Sequence, residues 1–445
     1  MDESVGSSIP FAEMLNHTYN KGYFSLNVLI AKFLFLYRPD YIQTLLSDSQ
    51  CINKSILYNG FKDWIGDSVL MRSDEGYKER KKLLLPAFRP KVLHSFIPII
   101  EKNARKLVEV LMENEKVFVV RVVKLCGFNI LYDTILGVKE NSTFRETTSY
   151  YEKLINATFK PVPDRSINFL MSFDCFFYLT PKGREFRSNK ETLRKLTKKI
   201  IAEKIRRRED EENTTEINGN RKSLLDFLLD ARDKNPELSI ESICEEIEFF
   251  LGAAYETTAL TVTWTLYLLS QHGDIQKKVQ QELDYIFEND IDRSIENEDL
   301  YKMKYLECVI KETMRLYPSI PAISRKIKKS IKLGDKEYSN DWIFVVSIFH
   351  LHRNPNVFEN PNVFDPDRFL PENSSKRSPY SYIPFSTSPR MCPGYYLAMM
   401  KIKLILASIL RKLKVGYLEK TTSVKFRISL NPSRSLQLQF KPREP

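Results

Sequence analysis

The chain has 445 residues, and its 68 Lys and Arg against 57 Asp and Glu give a formal net charge of +11. Its 42% hydrophobic and 28% charged residues are ordinary globular values, which exclude a wholly disordered, collagenous or coiled-coil chain. The basic excess is spread along the chain rather than gathered in a tail, so it favours an acidic partner or an anionic membrane over a nucleic acid.

The six cysteines include no C-x-x-C pair, and none lies near a histidine with zinc-like spacing. This pattern disfavours a structural zinc site, and in a chain of this length an even count gives no evidence for disulfides. We therefore expect a reducing, cytosol-facing environment.

The amino-terminal residues are polar and predict neither a signal peptide nor a membrane anchor. The apolar stretch 24–37 is interrupted by Ser25, Asn27 and Lys32 and is too short to span a membrane, so it predicts two strands. Helical patterns dominate over 76–240.

Within this helical part, the segment 206–222 is highly charged and almost without apolar residues, which predicts an exposed, mobile loop. Further helices are predicted over about 240–271, 274–289 and 300–316. The apolar part of the first, 249–269, is long enough to span a membrane. Its single charge and its five threonines favour a buried core helix instead.

After residue 318 the chain becomes strand-like over 327–333 and 342–350, and a last long helix follows Gly394. The sequence thus predicts a mainly helical protein with a smaller β region. His350 and His352 would lie on one face of a strand. Because no third ligand is near in sequence, ordinary strand histidines are preferred to a metal pair.

The most informative stretch is Phe385-Ser-Thr-Ser-Pro-Arg-Met-Cys392-Pro-Gly394, directly before an apolar helix. The positive end of a helix stabilises a thiolate, which can then bind a soft metal. Arg390 can pair bidentately with a carboxylate, and Gly394 allows close approach of the backbone. Taken alone, such a cysteine is more often a buried structural residue than a ligand.

This string resembles the haem-binding loop of the cytochrome P-450 superfamily, F-x-x-G-x-R-x-C-x-G. Phe385, Arg390, Cys392 and Gly394 match in register, and Ser388 replaces the usual glycine. The resemblance implies that Cys392 is the axial ligand of the iron in haem b (iron protoporphyrin IX). It implies that the other three matching residues belong to the cofactor-binding loop.

Two further strings are similar to the superfamily's E-x-x-R motif and its partner arginine. Glu312-Thr-Met-Arg315 can form an i, i+3 ion pair on a helix, although E-x-x-R also occurs at 191–194 and 203–206. The following Leu-Tyr-Pro-Ser-Ile-Pro singles out the first pair, and Arg368 ends a P-x-x-F-x-P-x-R string. The resemblance implies that Glu312, Arg315 and Arg368 form a buried structural charge cluster that holds the haem loop.

A third string, Ala253-Ala254-Tyr255-Glu256-Thr257-Thr258, places an acid and a hydroxyl in an apolar helix, where they are costly. A threonine hydroxyl can also simply bond back to its own helix. The string resembles the superfamily's A/G-G-x-D/E-T-T, which implies that Glu256 and Thr257 are catalytic and relay protons to dioxygen at the haem. Ala253 stands where many relatives carry a glutamate, so no covalent haem ester is expected.

A fourth string, 77–88, resembles the superfamily's W-x-x-x-R followed by P-A-F, with Tyr77 and Lys81 in place of Trp and Arg. The resemblance implies that these two side chains contact the haem propionates. Arg325 is a further propionate candidate, and a simple surface arginine is the alternative.

By these resemblances the fold is expected to be mainly α with a small β lobe, the cytochrome P-450 fold, in which a helical prism encloses haem. Residues 1–445 are expected to form one catalytic domain that lacks the amino-terminal membrane anchor and hinge. The strings R-K-K-L-L-L-P-A-F and E-T-M-R-L-Y-P-S-I-P look most like the microsomal clan with insect and vertebrate fatty-acid ω-hydroxylases.

The implied activity is a haem-thiolate monooxygenase that inserts one oxygen atom from O2 into an apolar fatty acid, hormone or xenobiotic. Its electrons would come from an NADPH-cytochrome reductase, with cytochrome b5 as an additional candidate partner, at the cytosolic face of the endoplasmic reticulum membrane; no nucleic acid is expected. Basic side chains are candidates for docking the reductase, or else form a solvated basic face: Lys81, Lys82, Lys401, Lys403, Arg411 and Lys412.

Two alternatives remain open. One is a haem-thiolate isomerase or dehydratase that acts on lipid hydroperoxides, although the retained Glu256-Thr257 pair argues against it. The other is an inactive haem- or lipid-binding relative, in which the departures at Tyr77, Ala254 and Ser388 have impaired the site.

Overall fold

A computed structural model describes residues 21–443 of the chain except 29–30, 49–50, 52, 139–141, 169, 213–220, 388 and 419–422. The chain divides into two compact units. The first consists of Met1–Ser55, Ala104–Lys124 and Thr257–Pro445, and the second of Ile56–Asn103 and Leu125–Glu256. Every strand that the structure describes belongs to the first unit.

The helices of the described chain are, in order, α1 (Pro39–Ser47), α2 (Asn59–Ile65), α3 (Asp74–Leu84), α4 (Pro90–His94), α5 (Ile97–Glu113), α6 (Val119–Leu131), α7 (Ser142–Phe159), α8 (Val162–Ile167), α9 (Asp174–Leu179), α10 (Pro181–Glu212), α11 (Leu224–Lys234), α12 (Ile240–Gln271), α13 (Gly273–Phe287), α14 (Asn297–Lys302), α15 (Lys304–Leu316), α16 (Ile348–Leu351), α17 (Pro371–Ser374) and α18 (Tyr395–Lys412).

The strands are β1 (Tyr23–Val28), β2 (Ala31–Leu36), β3 (Lys116–Phe118), β4 (Ala322–Lys326), β5 (Ile331–Leu333), β6 (Lys336–Tyr338), β7 (Trp342–Ser347), β8 (Leu413–Tyr417), β9 (Val424–Phe426), β10 (Leu430–Pro432) and β11 (Gln437–Pro442). The prediction of a mainly helical chain with a small β region is confirmed.

The largest sheet of the first unit has four strands in the order β1-β2-β7-β4. Strands β2 and β7 run parallel, and the other neighbouring pairs run antiparallel. In β2 the fully buried Leu34 and Leu36 are two residues apart, as expected for side chains on one face of a strand. They join Ile42 and Leu45 of α1 and Phe344 of β7 in one hydrophobic core.

The two strands predicted within 24–37 are therefore confirmed as β1 and β2. The prediction for the histidines is wrong, because β7 ends at Ser347 and the short helix α16 follows it. His350 lies within that helix, where its Nδ1 is 2.8 Å from the Ser347 hydroxyl. His352 comes directly after the helix, so the two histidines do not share a strand face.

The predicted loop over 206–222 is wrong in its first part, because α10 continues to Glu212. The Arg208 guanidinium donates a 2.5 Å hydrogen bond to the Asp230 carboxylate of α11, and this ion pair gives the charged end of α10 a partner within the second unit. Residues 213–220 lie outside the described chain.

The apolar segment 249–269 lies in α12, as predicted for a buried core helix. Its Leu251, Leu260 and Leu269 side chains have no exposed surface. No single helix of the described chain has the length and apolarity needed to cross a membrane; only a bent pair of helices, Asp74–Phe88 with Pro90–Glu113, meets both conditions when taken together.

Two buried glutamates in the first half of α12 have unequal partners within the second unit. Glu248 receives two hydrogen bonds from the Arg194 guanidinium, at 2.8 and 2.9 Å. Glu246 accepts one hydrogen bond from the backbone N–H of Val69, and the nearest guanidinium nitrogen of Arg80 is 3.3 Å away. Its second carboxylate oxygen is buried without a hydrogen bond. Burial therefore raises the pKa of Glu246 to about 8.

This raised pKa predicts a pH-dependent loss of stability. The folded chain favours protonated Glu246, so each pH unit between about 4.5 and 8 destabilises it by up to about 1.4 kcal/mol. We expect Glu246→Gln, which keeps the acceptor for Val69, to have nearly the wild-type melting temperature near pH 5 and a higher one at pH 9.

The matched control is Glu203→Gln, at an exposed position of α10. Thermal unfolding followed by circular dichroism from pH 5 to pH 9 makes the comparison. Parallel curves for the wild type and Glu246→Gln would contradict the prediction.

Candidate active site

The Cys392 loop connects residue 385 to the start of α18 in the first unit. The Cys392 backbone N–H donates to the Phe385 carbonyl at 3.0 Å, which closes the loop, and the Phe385 ring meets the Tyr395 ring edge-on at 4.9 Å. Ser386 takes a positive φ of 60° at the turn. Ser388, the departure from the glycine of the motif, lies outside the described residues.

The Cys392 side chain is exposed, whereas Cys51, Cys126, Cys244 and Cys308 are buried. Protein atoms nevertheless surround its sulfur on most sides, and this enclosure raises the pKa of the thiol. The backbone N–H of Gly394, at the start of α18, opposes that rise by hydrogen bonding to the sulfur. The loop thus presents an exposed cysteine residue whose sulfur accepts a backbone hydrogen bond.

Three cationic side chains of the first unit lie close together near this loop. Arg325 and Arg390 are almost fully buried. A bridge pairs Asn53 with Lys326, and the hydroxyls of Ser55 and Ser324 are 2.6 Å apart, so Lys54 lies opposite Arg325. Burial, together with the charges of the two arginines, lowers the pKa of Lys54 well below its usual value.

Lys54 was missed by the sequence analysis. Residue 54 stands in no recognised motif and is about 270 residues from Arg325, so only the folded chain brings them together. For Arg325 the sequence left two interpretations open, a contact with a haem propionate or a simple surface arginine. Its burial excludes the surface arginine.

The Glu312–Arg315 pair of α15 is fully buried and bidentate, with nitrogen–oxygen distances of 2.7 and 2.8 Å. The Arg315 guanidinium also donates to the carbonyls of His352, Pro361 and Val363 at 2.6–3.0 Å. Glu312 in turn accepts the backbone N–H of residue 365 at 2.9 Å. The pair therefore holds the segment 352–365 onto α15.

Arg368 lies beside this pair, but its interaction with it is weaker. Its Nε is 3.6 Å from the Glu312 carboxylate, which is within ion-pair range but too long for a hydrogen bond. Arg368 instead donates to the Asn360 carbonyl at 3.2 Å. The structure thus brings the three charged residues together, with only two of them joined by hydrogen bonds.

His352 is a second residue that the sequence analysis did not place in the site. Its side chain is fully buried, and burial together with the charge of Arg315 lowers its pKa to about 3. The neutral ring accepts the backbone N–H of Ile383 at Nε2, at 2.9 Å, and Nδ1 lies 3.4 Å from the Met314 carbonyl. This links α15 to the residues that lead into the Cys392 loop.

The proposed catalytic pair, Glu256 and Thr257, lies at the middle of α12, where both side chains are partly exposed. The preceding Tyr255 is buried, and its hydroxyl accepts a hydrogen bond from Asn156 at 3.0 Å and donates one to Glu152. Within the first unit, the Thr257 carbonyl accepts a hydrogen bond from the Ser319 hydroxyl at 2.9 Å.

Comparisons with known proteins agree with this arrangement. The family model named Cytochrome P450 matches residues 10–440. The chain belongs to the cytochrome P450 family. Cytochrome P450 4V2 of Mus musculus is 32% identical over 92% of this chain and 80% of its own length, and Cytochrome P450 4c3 of Drosophila melanogaster is 32% identical over the same shares.

The solved structures extend the agreement to the fold. The cytochrome P450DA heme domain superposes with a TM-score of 0.85 at 21% identity, covering 100% of this chain and 95% of that one. The retinoic acid bound cyanobacterial CYP120A1 gives 0.79 at 20% identity over 96% of this chain and 94% of that one. The chain has the cytochrome P450 fold; it is a cytochrome P450 monooxygenase, and haem is its cofactor.

The residues of the first unit fit haem chemically. A cysteine sulfur that accepts a hydrogen bond from a backbone N–H is a suitable soft ligand for iron. A Cβ at residue 394 would stand 3.8 Å from the Cys392 sulfur, so glycine keeps the space beside the sulfur open. The partly buried Lys54 and the buried Arg325 and Arg390 suit a group with two carboxylates, because those charges would offset the repulsion between the cations.

Tyr77 and Lys81 occupy one face of α3 in the second unit. Tyr77 is buried, and the Lys81 ammonium lies 5.8 Å from the centre of its ring. Their contact with haem propionates stays a prediction.

The proposed reductase-docking set requires correction, because three of its members are buried. Lys401 is 1% exposed. Lys403 bonds to the Glu307 carboxylate at 2.6 Å, and Arg411 donates to the Asp290 carbonyl at 2.6 Å. These side chains stabilise the packing of α18 and cannot form an exposed docking face. The hydrophobic periodicity of the α18 sequence did not predict that its Lys and Arg side chains would be buried.

The buried pair leads to a prediction for stability. Arg315→Ala leaves the Glu312 carboxylate unpaired and removes three bonds to the segment 352–365, so we expect a loss of about 3–5 kcal/mol in unfolding free energy. Arg206→Ala, which removes the exposed arginine of another E-x-x-R string, should change it by less than about 0.5 kcal/mol. Urea unfolding measures both, and equal effects of the two substitutions would contradict the structural role.

Proposed function

We propose that this monooxygenase inserts one oxygen atom from O2 into an apolar small molecule, a fatty acid, hormone or xenobiotic, using electrons from an NADPH-cytochrome reductase. The observation that carries the proposal is the accessible Cys392 sulfur at the start of α18, with the Gly394 N–H aimed at it. When bound there, haem supplies an iron that activates dioxygen, and a thiolate ligand favours cleavage of the O–O bond.

The chain's own residues then hold the cofactor and move protons. Cys392 supplies the thiolate, and Lys54, Arg325 and Arg390 form charge-assisted hydrogen bonds with the cofactor's carboxylates. Tyr77 and Lys81 are further candidates for those carboxylates.

Glu256 and Thr257 supply the proton relay in our proposal. A carboxylate and a hydroxyl at adjacent positions of an otherwise apolar helix can pass a proton from water to the reacting oxygen. Their partial exposure in α12 keeps both groups reachable. This pair also disfavours the isomerase or dehydratase alternative, because rearranging a hydroperoxide requires neither delivered protons nor electrons.

Fatty acids are the first substrate class to test. The reason is the resemblance of the 80–88 and 312–321 strings to the clan that contains fatty-acid ω-hydroxylases. A substrate of this class binds mainly through burial of its apolar chain, with few polar contacts to orient it.

The thiolate assignment predicts a spectroscopic result. The reduced, haem-loaded wild type should give the strongly red-shifted Soret band of a thiolate-bound carbonyl complex in a carbon monoxide difference spectrum. Cys392→Ala should lack that band, because Cys51 and Cys308, the other cysteines of the described first unit, are buried. Cys308→Ala, at a buried cysteine of the same unit, is the matched control and should keep it.

Turnover separates the alternatives. Oxygen from ¹⁸O2 should enter dodecanoic acid only when NADPH and the reductase are both present. A red-shifted band with NADPH-independent conversion of a lipid hydroperoxide would favour the isomerase, and a band without any turnover would favour the inactive relative. Loss of the band in the wild type would overturn the thiolate ligand itself.

We also propose that the second unit attaches to the anionic cytosolic surface of the endoplasmic reticulum membrane. Four large apolar side chains that recur every three residues are 46–76% exposed in and beside α9: Leu170, Phe173, Phe176 and Leu179. We call these four the apolar patch. Exposed patches of this kind typically mark interaction sites.

The charge beside the patch selects a lipid surface as its partner. The first residues of α10, 181–199, contain eight Lys or Arg against two Glu, and Lys182, Arg184 and Arg187 among them are exposed. Basic side chains next to exposed aromatic residues suit anionic lipid headgroups above an apolar layer.

Vesicle flotation tests the membrane contact. Replacing Phe173 and Phe176 together by serine should weaken binding to vesicles with anionic phosphatidylserine by at least about tenfold, since each buried phenylalanine contributes roughly 1.5–3 kcal/mol. Tyr285→Ser removes a single aromatic ring that is 87% exposed in the first unit and is the control. Equal flotation of both variants and the wild type would exclude the patch as a membrane contact.

A further inference from the structure

Ser319 lies in the irregular segment after α15, within the first unit, and contacts the middle of α12. Its hydroxyl oxygen is 2.9 Å from the Thr257 carbonyl oxygen and 2.9 Å from the Thr261 hydroxyl oxygen. The Thr261 hydroxyl oxygen is in turn 3.1 Å from the Thr257 carbonyl. Two hydroxyls therefore converge on one carbonyl of the helix.

The proton count of this triangle limits its hydrogen bonds to three arrangements. The Thr257 carbonyl can only accept, and each hydroxyl has one proton to give. When Ser319 donates to the carbonyl, Thr261 donates either to Ser319 or to the same carbonyl. When Ser319 donates to Thr261 instead, Thr261 donates to the carbonyl. In the first two arrangements the Thr257 carbonyl is bound by a side chain from outside its own helix, a contact that can shift or bend a helix locally. In the third, Ser319 holds the Thr261 hydroxyl that binds this carbonyl.

Ser319 is itself fixed through its backbone. Its carbonyl accepts the Leu430 N–H at 3.0 Å, and the Leu430 carbonyl accepts the indole N–H of Trp264 at 3.0 Å. Trp264 also stacks on Tyr317, with ring centres 4.1 Å apart and planes 7° apart. The contacts thus form a closed ring from α12 through the segment 317–319 and β10 back to α12.

Burial makes this ring stiff. The Trp264 and Leu430 side chains have no exposed surface, and Thr261 is 3% exposed. Water therefore cannot readily replace the bond between Trp264 and the Leu430 carbonyl, whereas Ser319 and Thr257 are themselves partly buried. The Ser319 hydroxyl is the contact by which the segment 317–319 reaches the Thr257 carbonyl.

We propose that Ser319 is a positioning residue that fixes the Thr257 peptide and thereby the hydroxyl that delivers protons. This inference rests on the proposed function, because Thr257 owes its role to it. A displacement of a reacting group by about 1 Å can cost about a hundredfold in rate. Loss of the Ser319 hydroxyl should therefore disturb proton delivery through the Thr257 peptide.

The first readout is hydrogen exchange in the haem-loaded full chain, measured on the peptide covering 257–262. Ser319→Ala should speed exchange there about three- to tenfold, the factor that one net hydrogen bond contributes. Ser319→Thr keeps the hydroxyl and should restore the wild-type rate. The Leu430 amide should be unchanged in both, because it bonds to the backbone of residue 319.

Ser270→Ala is the matched control within α12, because the Ser270 hydroxyl donates to the Tyr267 carbonyl of its own helix, at 2.6 Å. It should leave exchange over 257–262 unchanged. Wild-type exchange in Ser319→Ala would overturn the proposal.

The second readout is the share of NADPH that is consumed with release of hydrogen peroxide, with reductase and dodecanoic acid present. In that side reaction two electrons and two protons reduce one O2, and no oxygen enters the acid. Ser319→Ala should raise this share at least twofold and Ser319→Thr should restore it. Faster exchange with an unchanged peroxide share would reduce Ser319 to a merely structural residue and overturn its positioning role.

Thr257→Ala separates this inference from the proposed function. If that variant keeps the wild-type peroxide share, the proton relay proposed for Thr257 fails. The positioning role of Ser319 in that relay fails with it, while the exchange measurement still shows whether Ser319 holds the peptide.

Discussion

The buried ion pair between Glu312 and Arg315 is the interaction on which the thiol's position depends. Arg315 binds the His352 carbonyl, and the neutral His352 ring accepts the N–H of Ile383. The Ile383 carbonyl accepts the N–H of residue 386, and the Phe385 carbonyl accepts that of Cys392. A path of hydrogen bonds and two short steps of backbone therefore joins the ion pair to the sulfur, which explains why a pair with no chemical role is needed.

This dependence also explains why one buried ionisable group, His352, is neutral and another, Glu312, is charged. His352 must accept a hydrogen bond at Nε2, which a protonated ring cannot do, and the neighbouring Arg315 charge together with burial keeps it neutral. Glu312 is the charge that Arg315 requires, although burial raises its pKa, and two guanidinium bonds and a backbone N–H oppose that rise. Each group has the protonation state that its place in the path demands.

The parts of the site that the sequence predicted are those in which function and local structure share one short string. The motif that contains Cys392 runs directly into an apolar helix, so it places the cysteine at the start of that helix. Glu312 faces Arg315 because residues three apart share a helix face. Helix α12 was predicted to its last residue because its apolar run is long. Lys54, His352 and Ser319 were not predicted, because each acts through a partner far away in sequence. The burial of Lys403 and Arg411 of α18 was not predicted for the same reason, since their partners Glu307 and Asp290 lie on other elements.

The first unit contains two hydrogen-bonded frames: the path from the Glu312–Arg315 pair to Cys392, and the ring around Thr257. They differ in how they respond to substitution. The frame around Cys392 begins at a fully buried charge pair, so losing one partner strands a charge and destabilises the unit as a whole. The ring around Thr257 is built from neutral hydroxyl, amide and indole groups, so losing one hydroxyl costs less stability than stranding a buried charge and removes one restraint on the peptide. We therefore expect substitutions in the first frame to act on folding. In our proposal, substitutions in the second frame act on the geometry of the Thr257 carbonyl and, through it, on proton delivery.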